Sequence, residues 1–173
     1  MSGYYDLDLD PTYELLGLLA EELAAGDVPA VTLPGDGQIP AQLVVDLDEV
    51  GASIHVCFLP GIEGPPVLQY LVALDHEVEV EAFETTARFL HMLNSTLPLT
   101  GFEMSESAQA VVFRHVQAVS VQPLDPGIVA WPLSMIFNAV TRFDALIGLA
   151  CGGAPMEELV SGYGRAMAEL YQS

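Results

Sequence analysis

The sequence predicts an α+β fold: an antiparallel sheet of about five strands packed against helices, in the order α-βββ-α-ββ-α-α. Three observations carry this expectation. Half of the 173 residues are hydrophobic (51%) and only 16% are charged, which suits one ordinary domain with a buried core. Short apolar runs rich in β-branched residues lie between Gln42 and Val119, separated by Gly, Pro and acidic turns. Apolar faces at helical spacing flank them on both sides, each preceded by an Asp-Pro pair.

Residues 1–10 are polar and acidic and are expected to be flexible. The α+β domain is placed at 11–151 and a helical extension at 152–173. Asp10 is the expected N-cap of the first helix, with Pro11 at its first position. Leu15, Leu16, Leu19 and Leu23 form its apolar face, and Gly26 is its expected stop. The stretch "VTLPGDGQIP" reads as a turn-rich connection. Its GDG lacks the longer glycine pattern and the lysine of a phosphate loop. No cofactor is expected.

Strands are expected over Gln42–Leu47 and Ala52–Leu59, joined by the turn "DEVG", and then near Val67–Leu74 after "PGIEGPP". A helix over roughly 79–97 follows, with Phe83, Ala87, Leu90 and Leu97 inward. Two more strands fit Leu99–Met104 and Ala108–Val119, joined by "SES". Asp125-Pro126 begins the helical remainder, and Pro132 predicts a short first turn before a helix over 133–151. "CGGAP" breaks the chain again, and Pro155 opens the last helix. Glu157 and Glu158 stand in its first turn, where the dipole favours negative charge.

Charge narrows the classes of function. Four arginines, no lysine and 24 carboxylates give a net charge of −20. Neutralising phosphates takes clustered Lys and Arg, so direct nucleic-acid binding is disfavoured, and anionic membranes should repel the chain. The expected attraction is to a basic protein surface or a metal ion. Cys57 and Cys151 form no ligand pattern and read as free thiols in a reducing cytoplasm. "MSGYYDLDLD" shows no export signal. The apolar stretch from Ile128 to Cys151 is interrupted by Asn138, Arg142 and Asp144, so a buried helix is expected rather than a membrane span. Asn94-Ser95-Thr96 matches a glycosylation sequon that matters only in a secreted protein.

The densest acidic run is "DHEVEVEAFE", with Asp75, Glu77, Glu79, Glu81 and Glu84 around His76. On a strand, alternation puts Glu77, Glu79 and Glu81 on one face opposite Val78 and Val80. At a helix start, the same carboxylates meet the positive end. A hard cation needs oxygens converging from several segments, and one alternating run spreads them apart. The run is therefore expected to be a solvated face that serves as a docking patch, with His76 on the surface. His55 and Cys57 share a strand face, yet no orienting group or oxyanion donor accompanies them, so strand filler is the better account. Ser105, Ser107 and Ser120 lack a nucleophile-elbow context. His91 and His115 stand apart from each other. Glu84 and Arg88 are spaced for a helix-surface ion pair of about 0.2–0.5 kcal/mol.

The last helix carries a stripe of Met156, Leu159, Val160, Tyr163, Met167, Leu170 and Tyr171. Gly162 and Gly164 each cost about 1 kcal/mol inside a helix. Small residues at 161, 164 and 168 would let another helix approach closely. The stripe either packs within the monomer or is an interface offered, with Gly164, to a second subunit or client. A mean hydropathy of +0.41 favours some burial between subunits, because large exposed apolar patches are rare in monomers.

The element order, with "TARFLHMLNSTLPLTGFEMSESAQAVVFRH", resembles the YbjN-like family and the related type III secretion chaperone-like fold. Arg88, Leu90, Leu93 and Asn94 carry the likeness, followed by the "GFEM" and "AVVFRH" strands, over roughly residues 10–150. The resemblance implies a dimeric, acidic, non-enzymatic α+β unit that holds or escorts other proteins. The chain departs from the small chaperones in its helix after Gly153. The expectation is thus a cytoplasmic protein-binding adaptor, homodimeric, for a basic client such as a nucleic-acid-handling protein. Alternatives are a divalent-metal enzyme using the acidic run, a nucleic-acid mimic, and a structural subunit with an obligate partner.

Overall fold

The computed structural model describes residues 9–36, 38–59, 67–99, 101–118 and 126–170. The expected flexible start, the "PGIEGPP" turn and Tyr171 fall largely or wholly outside them. Helix α1 (Leu9–Ala25) begins just ahead of the expected Asp10 cap and buries Leu16 and Leu19. It closes in a Schellman turn, in which Val28 N–H donates to Leu23 O (2.9 Å) and Asp27 N–H to Ala24 O (3.1 Å). The left-handed residue of that turn is Asp27 (φ 60°), so the stop lies one residue beyond Gly26.

The sheet has six strands rather than five. The extra one, β1 (Ala30–Leu33), lies where a loop was expected. Pro29 and Pro34 flank it without interrupting it, and as an edge strand it pairs only with β2 (Gln42–Leu47), from Ala30↔Val45 to Leu33↔Gln42. The loop after it is held by Asp36, whose Oδ1 accepts from the Gln38 and Ile39 amides (3.0 and 2.8 Å). The Ile39 bond, then the Gln38 bond, draws that carboxyl below the usual carboxylate range. β3 (Ala52–Leu59) fits its expected range. β4 (Val67–Glu77) runs three residues past Leu74 and takes in the start of the acidic run. β5 (Phe102–Ser105) and β6 (Ala110–Ala118) complete an all-antiparallel sheet in the order β1-β2-β3-β4-β6-β5.

Between β4 and β5, a 3-10 turn (Val80–Ala82) precedes α2 (Phe83–Asn94), so the helix is shorter than expected at both ends. Its buried residues are Thr86, Phe89, Leu90 and Leu93, while Ala87 is exposed and Phe83 and Leu97 only half-buried. Leu90 is thus inward as expected and Phe83 and Leu97 pack against the core, while Ala87 does not. Glu84 and Arg88 are absent from the ion pairs among the described residues, which are His76–Asp144 and Arg114–Glu103.

Helix α3 (Pro126–Cys151) is continuous through Pro132, with no separate first turn. Proline cannot donate to the carbonyl four residues back, here that of Ile128. Gln117 Nε2 supplies the replacement, donating to Ile128 O (3.3 Å) and to Tyr70 Oη (3.1 Å), while Tyr70 Oη donates to Val129 O (3.4 Å). Helix α4 (Met156–Leu170) packs on α3 and touches α2.

Strand parity places the core. Leu43, Val45 and Leu47 of β2, Ile54, Val56 and Phe58 of β3, and Leu68, Tyr70, Val72 and Leu74 of β4 are all buried and share one sheet face. The helices cover that face, with α3 presenting Val129, Leu133, Ile136, Val140, Phe143, Ile147 and Ala150 at alternating steps of four and three. Gly127–Cys151 is long and apolar enough to cross a bilayer, but in this fold that stripe is core packing. Among the described residues, no helix lies against the other sheet face. Its side chains are mostly half-buried, and Val31 and Leu33 at the β1 edge are 58% and 46% exposed.

Candidate functional site

Asp75 and Glu77 stand on the outer face at the end of β4. Glu79 precedes the 3-10 turn, Glu81 lies in it, and Glu84 stands in the first turn of α2. All five side chains are exposed. The alternation expected past Glu77 ends there, because Val78 N–H donates to Gln109 O (2.8 Å) and Glu79 N–H to Cys151 O (3.0 Å). Val78 is buried and Val80 is 63% exposed. Among the described residues, no three His, Cys, Asp or Glu side chains are grouped as a metal ion requires.

His76 is not the surface histidine that was expected. It shares the inner parity of Val72 and Leu74 and is half-buried against α3, where Nε2–H donates to Asp144 Oδ1 (2.8 Å). Gly148, one turn further along α3, makes room for the ring: a Cβ there would stand 2.9 Å from His76 Cε1. Counting β-strand positions on from Leu74 to His76 is the signal that places this side chain on the inner face.

His55 and Cys57 do share the outer face of β3, but His55 Nδ1 is bonded to Gln42 Oε1 (2.8 Å) across the strand pair. Burial pushes the Cys57 thiol up, and burial pushes Cys151 up to about 11. Both shifts oppose formation of the thiolate that a nucleophile needs. Burial also holds His115 below the usual imidazole range, against a hydrogen bond it donates to Gln117, which raises it. Ser105 and Ser107 pair loosely with each other (3.4 Å) in the β5–β6 turn, and Ser120 lies outside the described residues. His91 is an exposed side chain of α2.

In α4, Leu159 is fully buried, and Met156, Tyr163 and Met167 pack half-buried against the core. Tyr163 stacks on Phe143 of α3 with ring centroids 5.9 Å apart. Leu159 is therefore taken up by its own chain, as the packing alternative for the stripe expects. Val160 stays exposed, as does Gly164, whose surroundings are open. The close helix approach is made at Gly162, by Leu146 of α3. The side chain of Leu170 lies outside the described residues.

One concavity was not anticipated from the sequence. It is a groove of about 750 Å³, half open to solvent, between the end of α1, the β2–β3 turn and the first half of α3. Its floor is Leu19, Val45, Leu47, Ile54, Val129 and Leu133, all buried, and Leu23, Ala130 and Phe137 form its walls. Among the described residues its titratable lining is Glu22, Asp27, Asp46, Asp48 and Glu49, with no Lys, Arg or His. Asp46 accepts from Ser53 Oγ (2.9 Å). The readable signal was the "DLDE" carboxylates beside a core strand, but nothing local tied them to α1 and α3. No family model, curated protein or solved structure matches this chain.

Proposed function

We propose that this chain is a non-enzymatic, acidic protein-binding module, an adaptor or chaperone-like holder for a partner with a basic surface. One observation carries the reading: the groove between α1 and α3 joins an apolar floor to a rim charged with one sign only. Apolar burial supplies affinity, and a complementary field speeds encounter and orients the partner. The net charge of −20 and the exposed carboxylates between Asp75 and Glu84 extend the same field over the surface. The likeness to the YbjN-like family points the same way, since an antiparallel sheet against helices accords with it. A cytoplasmic, reducing setting suits two free, buried thiols. The client expected is basic, for instance a nucleic-acid-handling protein.

A second surface favours self-association. The sheet face without helices exposes Val31, Leu33 and Val116, so a homodimer through it is the companion proposal. Sedimentation at low and high salt tests it: a monomer at both removes the dimer.

The main reading is tested by affinity capture from the source cell, eluted with salt, followed by titration with the purified partner. A discrete basic protein whose Kd weakens steeply as salt rises is expected. A partner bound equally well in strong salt, or one with an acidic surface, overturns the electrostatic basis of the proposal.

A further inference from the structure

Resting on that protein-binding reading, we infer that the α1–α3 groove takes a basic amphipathic helix of the partner, laid along α3 with its apolar face down. The wall on α3 runs from Gly127 to Asn138, twelve positions, or about 18 Å of helix. That is long enough for side chains at i, i+3 or i+4 and i+7 of a bound helix to reach the floor. Ala130 and Phe137 of α3 lie on one side of this trough and Leu23 of α1 on the other. A bound helix would therefore lie against helices on both flanks and the β2–β3 strands beneath, extending the helical layer.

The shape favours a helix over a small molecule. The volume falls within the range of about 300–1,000 Å³ for ligand pockets, but such pockets bury most of their ligand's surface. A half-open trough does not enclose a small ligand, whereas a helix needs only one face covered.

Charge selects the kind of helix. Glu22 and Asp27 stand at the α1 end, Asp48 and Glu49 on the β2–β3 turn, and the α3 wall carries no charged residue. The complement is a helix whose basic residues follow one edge, toward α1 and the turn. The chain's own first eight residues, with Asp6 and Asp8 and no basic side chain, are unsuited to it.

The test uses two labelled peptides of Leu and Lys with one composition. In one, leucines recur at helical spacing; in the other they are rearranged so that no apolar face forms. The full chain is titrated with each by anisotropy and circular dichroism. The amphipathic peptide should bind at least about tenfold more tightly, about 1.4 kcal/mol. It should also gain helicity on binding, since isolated helices under about 12–15 residues are marginal in water.

Phe137→Ser removes an exposed wall side chain and Ala130→Gln fills the trough without changing charge. Each should weaken that peptide about tenfold while the chain keeps a cooperative melt well above the titration temperature, so that the loss is read on folded protein. Equal binding of both peptides, or binding indifferent to both variants, overturns the groove inference and leaves an acidic surface that attracts cations generally. Failure of both peptides to bind at low salt, while a captured basic partner does bind, also overturns the groove alone. Failure of peptides and partner together removes the protein-binding reading as well. A dimer whose dissociation uncovers the groove for the peptide would make the occupant a second copy, which likewise overturns the inference.

Discussion

Asn94 shows how one side chain joins two elements. As the last residue of α2, it donates from Nδ2 to Phe102 O and accepts the Phe102 amide at Oδ1, both at 2.8 Å. Gly101 leaves space for that amide, since a Cβ there would collide with the Asn94 side chain. Phe102 is buried and meets Phe113 edge-on at 4.9 Å, so β5 is fixed to both helix and sheet at this point. Asn94→Ala leaves a backbone donor and acceptor of β5 without these partners. The expected loss is about 2 kcal/mol, read as a lower urea midpoint at unchanged slope. A loss below about 0.5 kcal/mol would mean that water replaces the side chain at both positions. The sequence singled Asn94 out only through a family likeness and a glycosylation sequon. Its role depends on a contact with a residue eight positions further on, across the α2–β5 connection, which no periodicity encodes.

At the scale of elements, the two interior glycines of α4 separate propensity from packing. Gly164 has open space where a Cβ would go, so Gly164→Ala should stabilise by about 1 kcal/mol. At Gly162 a new Cβ would come 2.5 Å from Leu146 Cδ2, forcing that half-buried side chain to move. Overpacking costs about 1–3 kcal/mol, so Gly162→Ala should be at least about 1 kcal/mol less favourable than Gly164→Ala. Paired thermal melts check this; equal gains would show that α3 and α4 are not packed closely at Leu146. The apolar stripe of α4 was legible because burial on one helix face imposes a 3.6-residue period. Strands β2 and β3 were legible for the corresponding reason at period two. β1 was not, since four residues between prolines with two exposed apolar side chains resemble a loop. Continuity of α3 through Pro132 was equally hidden, because the compensating donor is Gln117 on β6. The groove combines three such distant segments, and its site was therefore the least legible part of the molecule.

For the whole molecule, one sign of charge dominates: 24 carboxylates against four arginines. Folding brings these carboxylates closer together than they are in the open chain, so their mutual repulsion opposes the compact state. Arg114 is paired with Glu103 (2.9 Å), but both are exposed, and such a pair contributes only about 0–1 kcal/mol. Unlike an ordinary domain with balanced charge, this one should therefore gain stability as salt screens its surface. Raising KCl from ~10 to ~150 mM shortens the screening length from about 30 to about 8 Å. Chloride serves better than sulfate, whose exclusion from protein surfaces stabilises folds independently of charge. A gain of about 1 kcal/mol, or roughly 2–4 °C in Tm for a chain of this size, is expected. The same change should weaken a basic partner, so stability and affinity should move in opposite directions with salt. A Tm that stays level or falls would show that attractive pairs outweigh the repulsion. The acidic field would then be locally compensated, and electrostatic attraction of a basic helix to the groove would lose its physical basis.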